Sequence, residues 1–199
     1  MGSPRKNGNT NAILEPFLRE LHGMGHEADL FWLYDMDITG CTACRTCQQD
    51  WTGFGCRFHD DMGRIFDSVL ESDAIVLACP IYSWYCTAPM KAALDRLMYG
   101  MNKYYGEERG PSLWAGKHLS LIVTCGYPPA KGADLFEEGM RRYCKHSQLR
   151  YDGMYAEHDR GYRAVFLDAD KEARARAWAH TVEQACGTSA DRAEKTATL

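Results

Sequence analysis

Apolar positions along the chain switch repeatedly between a helical and a strand-like period. Ile13, Leu14, Phe17, Leu18 and Leu21 recur at helical spacing and predict a helix from Thr10 to about His22. Ala28 to Tyr34 reads as a strand, and Thr39 to Cys56 as a cysteine-rich loop. A helix near Asp60 to Glu71, a buried strand Ala74 to Ala78 and a helix Ala88 to Met101 follow. His118 to Thr124 is another apolar run of strand length, Asp134 to His146 a helix, Arg150 to Glu157 a weaker strand and Lys171 to Ala185 a closing helix. Strands alternating with helices predict an α/β domain with a mainly parallel sheet. Beyond Gly187 the periodicity stops, so the reading is one domain over 1–187 and a disordered, solvated tail over 188–199. One feature departs from the pattern. Such a domain normally opens on a hydrophobic strand, whereas here Met1 runs at once into a polar loop. Either the first strand has been lost or the true start lies upstream of Met1.

Charge and composition narrow the partners. A formal charge of -4 with no dense Lys/Arg stretch gives no electrostatic footprint for nucleic acid or anionic lipid. No apolar run approaches the ~20 residues of a membrane helix, which leaves a small molecule as the expected ligand. No leader-like apolar segment follows a charged start, so a cytoplasmic location is expected. Nine cysteines, an odd number in a reducing compartment, read as thiols, metal ligands or redox groups before a disulfide framework.

The first candidate site is Gly2-Ser3-Pro4-Arg5-Lys6-Asn7-Gly8-Asn9-Thr10, which runs into an amphipathic helix. A helix start offers unpaired N–H donors and a partial positive charge, the makings of an anion site. Ser3 and Thr10 hydroxyls, the Asn9 amide and Arg5 can wrap a terminal phosphate without metal; the plainer alternative is a polar loop with Asn9 or Thr10 as helix cap. Neither GxxxxGK[ST] nor GxGxxG spacing is present, which disfavours nucleotide hydrolysis and a dinucleotide site. The second candidate, Pro80-Ile81-Tyr82-Ser83-Trp84-Tyr85, leaves the carboxyl end of a buried strand, where ligands of open α/β sheets gather. The third is Cys41-x2-Cys44-x2-Cys47 followed by Cys56, a compact set that can hold a [4Fe-4S] cluster, can hold zinc, or can remain plain thiols. Cys79, Cys86, Cys125, Cys144 and Cys186 read as small buried side chains.

Together these segments carry a resemblance. GSPRKNGNT, GCTACRTC, the DDM at Asp60 to Met62 and ACPIYSWYCTAPMKAALDR from Ala78 to Arg96 stand in the order seen in the NADPH-dependent FMN reductase and iron-sulfur flavoprotein group of the flavodoxin-like superfamily, which the chain resembles from Gly2 to about Asp159. The resemblance implies a flavodoxin-like three-layer sandwich lacking its first strand, with FMN as cofactor and NAD(P)H as electron donor. It places the FMN phosphate on Ser3, Arg5, Asn9 and Thr10, and the flavin ring along Pro80 to Tyr85 and beside Cys125 and Gly126. It implies electron transfer to a quinone, a flavin or another small acceptor, or alternatively an electron carrier serving protein partners. No side chain is expected to act as acid or base, because the flavin itself carries the chemistry. Cys41, Cys44, Cys47 and Cys56 correspond to the iron-sulfur ligands, although the gap from Cys47 to Cys56 is longer than in that group. A homodimer or homotetramer is implied too, with the aromatic stretch from Met98 to Tyr105 offered as a contact.

Overall fold

The computed structural model describes residues 1–161 and 164–197, with side chains through residue 187. The elements run α1 (Asn9–Gly23), α2 (Met62–Glu71), β1 (Ala74–Pro80), α3 (Ala88–Met101), β2 (His118–Cys125), α4 (Pro129–Gly132), α5 (Asp134–Ser147), β3 (Arg150–His158) and α6 (Ala169–Ala197), with 3-10 turns at Leu33–Asp35 and Thr46–Gln49. The segment expected as a tail has helical backbone through Ala197, and its side chains lie outside the described residues.

The three strands form one parallel sheet in the order β1-β2-β3, with Ala74 opposite His118 and His118 opposite Arg150. β2 is buried along its whole length, the signature of a strand covered on both faces, and its His-Leu-Ser-Leu-Ile-Val-Thr-Cys sequence is nearly continuous in apolar residues. Two cores cover the sheet. On one side α1 and α6 bring Ile13, Leu14, Phe17, Ala175, Ala179 and Val182 against Ala78, Ile122 and Tyr155. On the other, α2, α3 and α5 bring Phe66, Met90, Leu94, Phe136 and Met140 against Cys79, Leu121 and Val123. The result is the flavodoxin-like α/β sandwich expected from the sequence. Among the described residues no helix is long and apolar enough to cross a membrane.

One element differs from expectation. Ala28 to Tyr34 forms no strand; the chain is irregular there and enters a 3-10 turn at Leu33. The reason is visible at the amino end. Met1 and Gly2 insert between this segment and β1: the Met1 amine donates to the Phe31 carbonyl, Leu33 N–H to the Met1 carbonyl at 3.0 Å, and Gly2 N–H to the Ala78 carbonyl at 2.8 Å. A ladder needs a continuous partner, and among the described residues Met1 and Gly2 bond here at single positions. Behind them lies a cavity of about 590 Å³ between β1, α1, α3 and residues 25–31, lined by groups such as Leu14, Phe17, Ile75, Leu77, Leu94 and Leu97.

Candidate functional site

The first loop is fixed from below. A Cβ on Gly2 would stand 2.9 Å from Thr87 Oγ1 and 3.1 Å from the Cβ atoms of Cys79 and Met90, so only glycine lets the chain pass this close to β1 and α3. Thr87 Oγ1 donates to the Gly2 carbonyl at 2.8 Å. Ser3 and Thr10 are buried, Asn9 is half-buried, and Pro4 to Asn7 are exposed. The Ser3 hydroxyl meets the Arg5 backbone at 3.2 Å on both N–H and carbonyl. Arg5 lies over Gly8, where an added Cβ would meet the Arg5 carbonyl at 3.0 Å and its Nε at 3.5 Å. Gly8 is the residue before α1 and no side chain caps the helix. The capping alternative for Asn9 and Thr10 is therefore not what the chain does. Thr10 instead bonds across the sheet edge to Thr124, hydroxyl to hydroxyl at 2.7 Å. The first turn of α1 thus keeps its partial positive charge with no side-chain cap on it.

The second loop continues from β1. Ile81 N–H donates to the Thr124 carbonyl at 2.8 Å, and Tyr82 and Tyr85 exchange backbone hydrogen bonds of 2.9 and 3.0 Å around Ser83 and Trp84. Both central residues are left-handed, with φ of 52° and 63°. That is the geometry of a tight two-residue turn that favours Asn-Gly, built here from Ser-Trp at a cost of about 1–2 kcal/mol per residue. The turn thrusts Tyr82, Trp84 and Tyr85 outward, each more than one third exposed. Trp84 stacks on Tyr127 at 5.9 Å and donates its indole N–H to the Lys131 carbonyl, while Tyr85 meets Phe136 edge-on. Backbone strain held on an exposed aromatic hairpin is a mark of a binding surface.

The third loop follows β2. Cys125 is buried, its thiol donating to the Tyr127 carbonyl, and burial pushes its pKa up. A Cβ on Gly126 would meet no protein atom, so its face opens outward. The hydrogen bonds between Gly2 and Ala78, Thr10 and Thr124, and Ile81 and Thr124 bring the three loops to one edge of the sheet. Thr124 and Tyr127 belong to the third loop that the resemblance already placed at this edge, from Thr124 to Tyr127; Thr87 shares the edge and was not singled out in the sequence, nor was the cross-sheet bond of Thr124 to Thr10.

The cysteine set sits apart, against the second half of α3. Cys41, Cys44, Cys47 and Cys56 line one small cavity together with Arg96. Left-handed Ala43 and Arg45, with φ of 53° and 62°, wind the backbone between successive cysteines. The thiols are not alike. Burial pushes Cys47 up, while the Thr46 hydroxyl and N–H hold the exposed Cys44 below the usual thiol range. Among the described residues no three His, Cys, Asp or Glu side chains are gathered closely enough to hold a metal ion. The cysteines' donor chemistry is nonetheless of the kind a thiolate-ligated cluster uses, four soft ligands lining one small cavity beside the buried Arg96. Lys103, fully buried, donates to the carbonyls of Cys47 at 2.9 Å and Gly53 at 2.7 Å. Arg96, 2% exposed, forms a bidentate pair with Asp60 at 2.7 and 3.0 Å. The stretch from Met98 to Tyr105 folds inward: the Tyr99 carbonyl accepts from Cys47 Sγ and Gln48, and Tyr105 bonds His146. Cys79, Cys86 and Cys144 are buried, as expected of them, and Cys186 is half-buried.

Comparison with known proteins joins these features. The sequence model of a family described as NADPH-dependent FMN reductase matches residues 1–135. An "Iron-sulfur flavoprotein" of Archaeoglobus fulgidus is 40% identical over 126 residues, 63% of this chain and 53% of that protein. The chain thus spans about half the length of the curated relatives it matches. Among solved structures, an NAD(P)H:quinone oxidoreductase from Methanothermobacter marburgensis superposes with a TM-score of 0.65 at 19% identity, covering 89% of this chain and 93% of that one. An FMN-dependent NADH-azoreductase from Bacillus anthracis gives 0.60 at 15% identity, with 92% of each chain covered.

Proposed function

From the membership of this chain in the NADPH-dependent FMN reductase family, we propose that it is an FMN-dependent oxidoreductase taking electrons from NAD(P)H and passing them to a quinone, a flavin or another small acceptor. The observation that carries this reading is the uncapped start of α1, pinned by Gly2 and Thr10 beside an exposed aromatic hairpin. Ser3, Arg5, Asn9 and Thr10 would hold the FMN phosphate, with the α1 N–H groups supplying directional donors. Pro80, Ile81, Tyr82, Ser83, Trp84, Tyr85, Cys125 and Gly126 would border the ring. Bound FMN would supply the hydride and electron chemistry; these residues position it and limit what reaches it. The hairpin's stiffness fixes one wall, and Trp84 on Tyr127 narrows the space a second substrate can occupy.

A second reading, an iron-sulfur flavoprotein trading electrons with protein partners, is favoured by the four cysteines lining one cavity and by the Archaeoglobus relative's name. Cys41, Cys44, Cys47 and Cys56 would hold a [4Fe-4S] cluster, which would supply one-electron transfer. Assembly into a homodimer or homotetramer belongs to both readings, and sedimentation of the FMN-loaded protein tests it. Protein purified without oxygen separates the two. Oxidised flavin absorption with steady NAD(P)H oxidation in the presence of quinone supports the enzyme, while iron and sulfide in the protein without such turnover supports the carrier. Protein that takes up no flavin contradicts both.

A further inference from the structure

Arg96 joins α3, the approach to α2 and the cysteine pocket. Its Nη1 donates to the Thr39 carbonyl and Asp60 Oδ2, both at 2.7 Å, and Nη2 to Asp60 Oδ1 at 3.0 Å. The rings of Phe54 and Phe58 lie 5.5 and 5.1 Å from the guanidinium carbon and exclude water. Asp60 is thereby used in full: Oδ2 also accepts Thr39 N–H and Oδ1 accepts Met62 N–H. One of the three Arg96 side-chain nitrogens is left without a partner. Nε–H is buried without a hydrogen-bond partner among the described residues, although Arg96 lines the four-cysteine cavity. Cys56 lies beside the guanidinium and favours its charged form by charge and by a side-chain hydrogen bond, while Nε itself meets no partner with hydrogen-bond geometry among the described residues. A buried N–H of a charged group is costly to leave unmade, and a pair serving only to hold α2 on α3 would not require it to border this cavity.

We propose that Arg96 donates its Nε–H to a sulfur atom of an anionic, thiolate-ligated cluster held by Cys41, Cys44, Cys47 and Cys56, and so sets that cluster's reduction potential. The inference rests on the iron-sulfur reading above. A hydrogen bond and a fixed positive charge at a cluster sulfur favour the reduced, more negative form, which raises the potential. Asp60 acts through Arg96: by engaging both terminal nitrogens it turns the Nε edge to the pocket. Arg96 is thus a positioning and tuning residue that need not touch FMN.

The test uses anaerobically purified, iron-loaded protein carrying [15Nε]arginine. Pulsed EPR of the reduced cluster should detect a 15N coupling in the native protein and none in Arg96→Lys. In Arg96→Lys that retains full iron, the cluster midpoint should move to more negative potential while the FMN midpoint stays in place. Iron present without 15N coupling in the native protein, or a coupling that survives in Arg96→Lys, overturns the inference and leaves the cluster reading standing. An unmoved cluster midpoint in the iron-replete variant does the same. If Arg96→Lys fails to hold iron, the labelled native protein decides alone. FMN-loaded native protein without iron overturns the cluster reading itself and the inference with it.

Discussion

The cysteine lobe and the free edge of β1 are both apolar regions against α3, and they are finished differently. Around the cysteines only a small cavity is left: Phe54 stacks on Phe66 at 4.6 Å, and a buried lysine ties the loop's carbonyls together. At the edge of β1, two helical layers face each other across about 590 Å³, with only Met1 and Gly2 between them. The first region ties the cysteine loop to α3 and the residues just after it through buried polar partners. The second depends on the backbone bonds that Met1 and Gly2 make to Phe31, Leu33 and Ala78. One region has its stability concentrated in buried charge, and the other has stability to gain from apolar contact.

The largest expected effect breaks the first region. Asp60→Asn removes the partner of a buried guanidinium, which should cost about 3–5 kcal/mol in urea denaturation. Arg96 hydrogen bonds hold Asp60 below the usual carboxylate range against the opposing effect of burial. The stabilisation is therefore complete above the unfolded value of about 4 and is lost as pH falls through the lower folded value. The difference between native and variant should be constant at neutral pH and shrink in strong acid.

Lys103→Met is next. It leaves the carbonyls of Cys47 and Gly53 without their donor inside the loop, at a cost of about 2–3 kcal/mol. Trypsin cleavage at the loop's Arg45 and Arg57 should quicken in the folded variant.

The open edge should respond in the opposite direction. Five apolar, β-branched residues attached to Met1 should pair with β1 and raise stability by about 1–3 kcal/mol, the excess of burial over ordering; a Gly-Ser extension should not. Burial lowers the Met1 amine's pKa from 8.0 to about 6. The folded chain thus disfavours the charged amine, and stability should rise with pH between about 6 and 8. Either extension converts the amine to an amide, and that rise should vanish from the melting curves. The smallest change is Ser83→Gly, which relieves one left-handed residue and should stabilise by about 1 kcal/mol by thermal melting.

The same contrast explains what the sequence made legible. β1, β2, β3 and the helices around them were readable because their periodicity is local and their ladders are complete. Ala28 to Tyr34 had the composition of a strand, but a strand is a property of its neighbour as much as of itself. The loop Gly2 to Thr10 was readable from its small and polar residues, whereas its anchors Thr87 and Thr124 are lone hydroxyls whose meaning exists only across the sheet. The cysteines announced themselves by spacing. Lys103, inside an aromatic stretch read as a surface contact, did not, because a buried lysine is identified only by the carbonyls that surround it.

The central claim is that the start of α1 holds the flavin through its phosphate, and comparing FMN with riboflavin tests it most directly. Titration of flavin-free protein, followed by quenching of flavin fluorescence, should show FMN binding at least about tenfold more tightly than riboflavin, the worth of charge-assisted hydrogen bonds to the phosphate. Equal affinity for the two, or no quenching by either, would contradict the account.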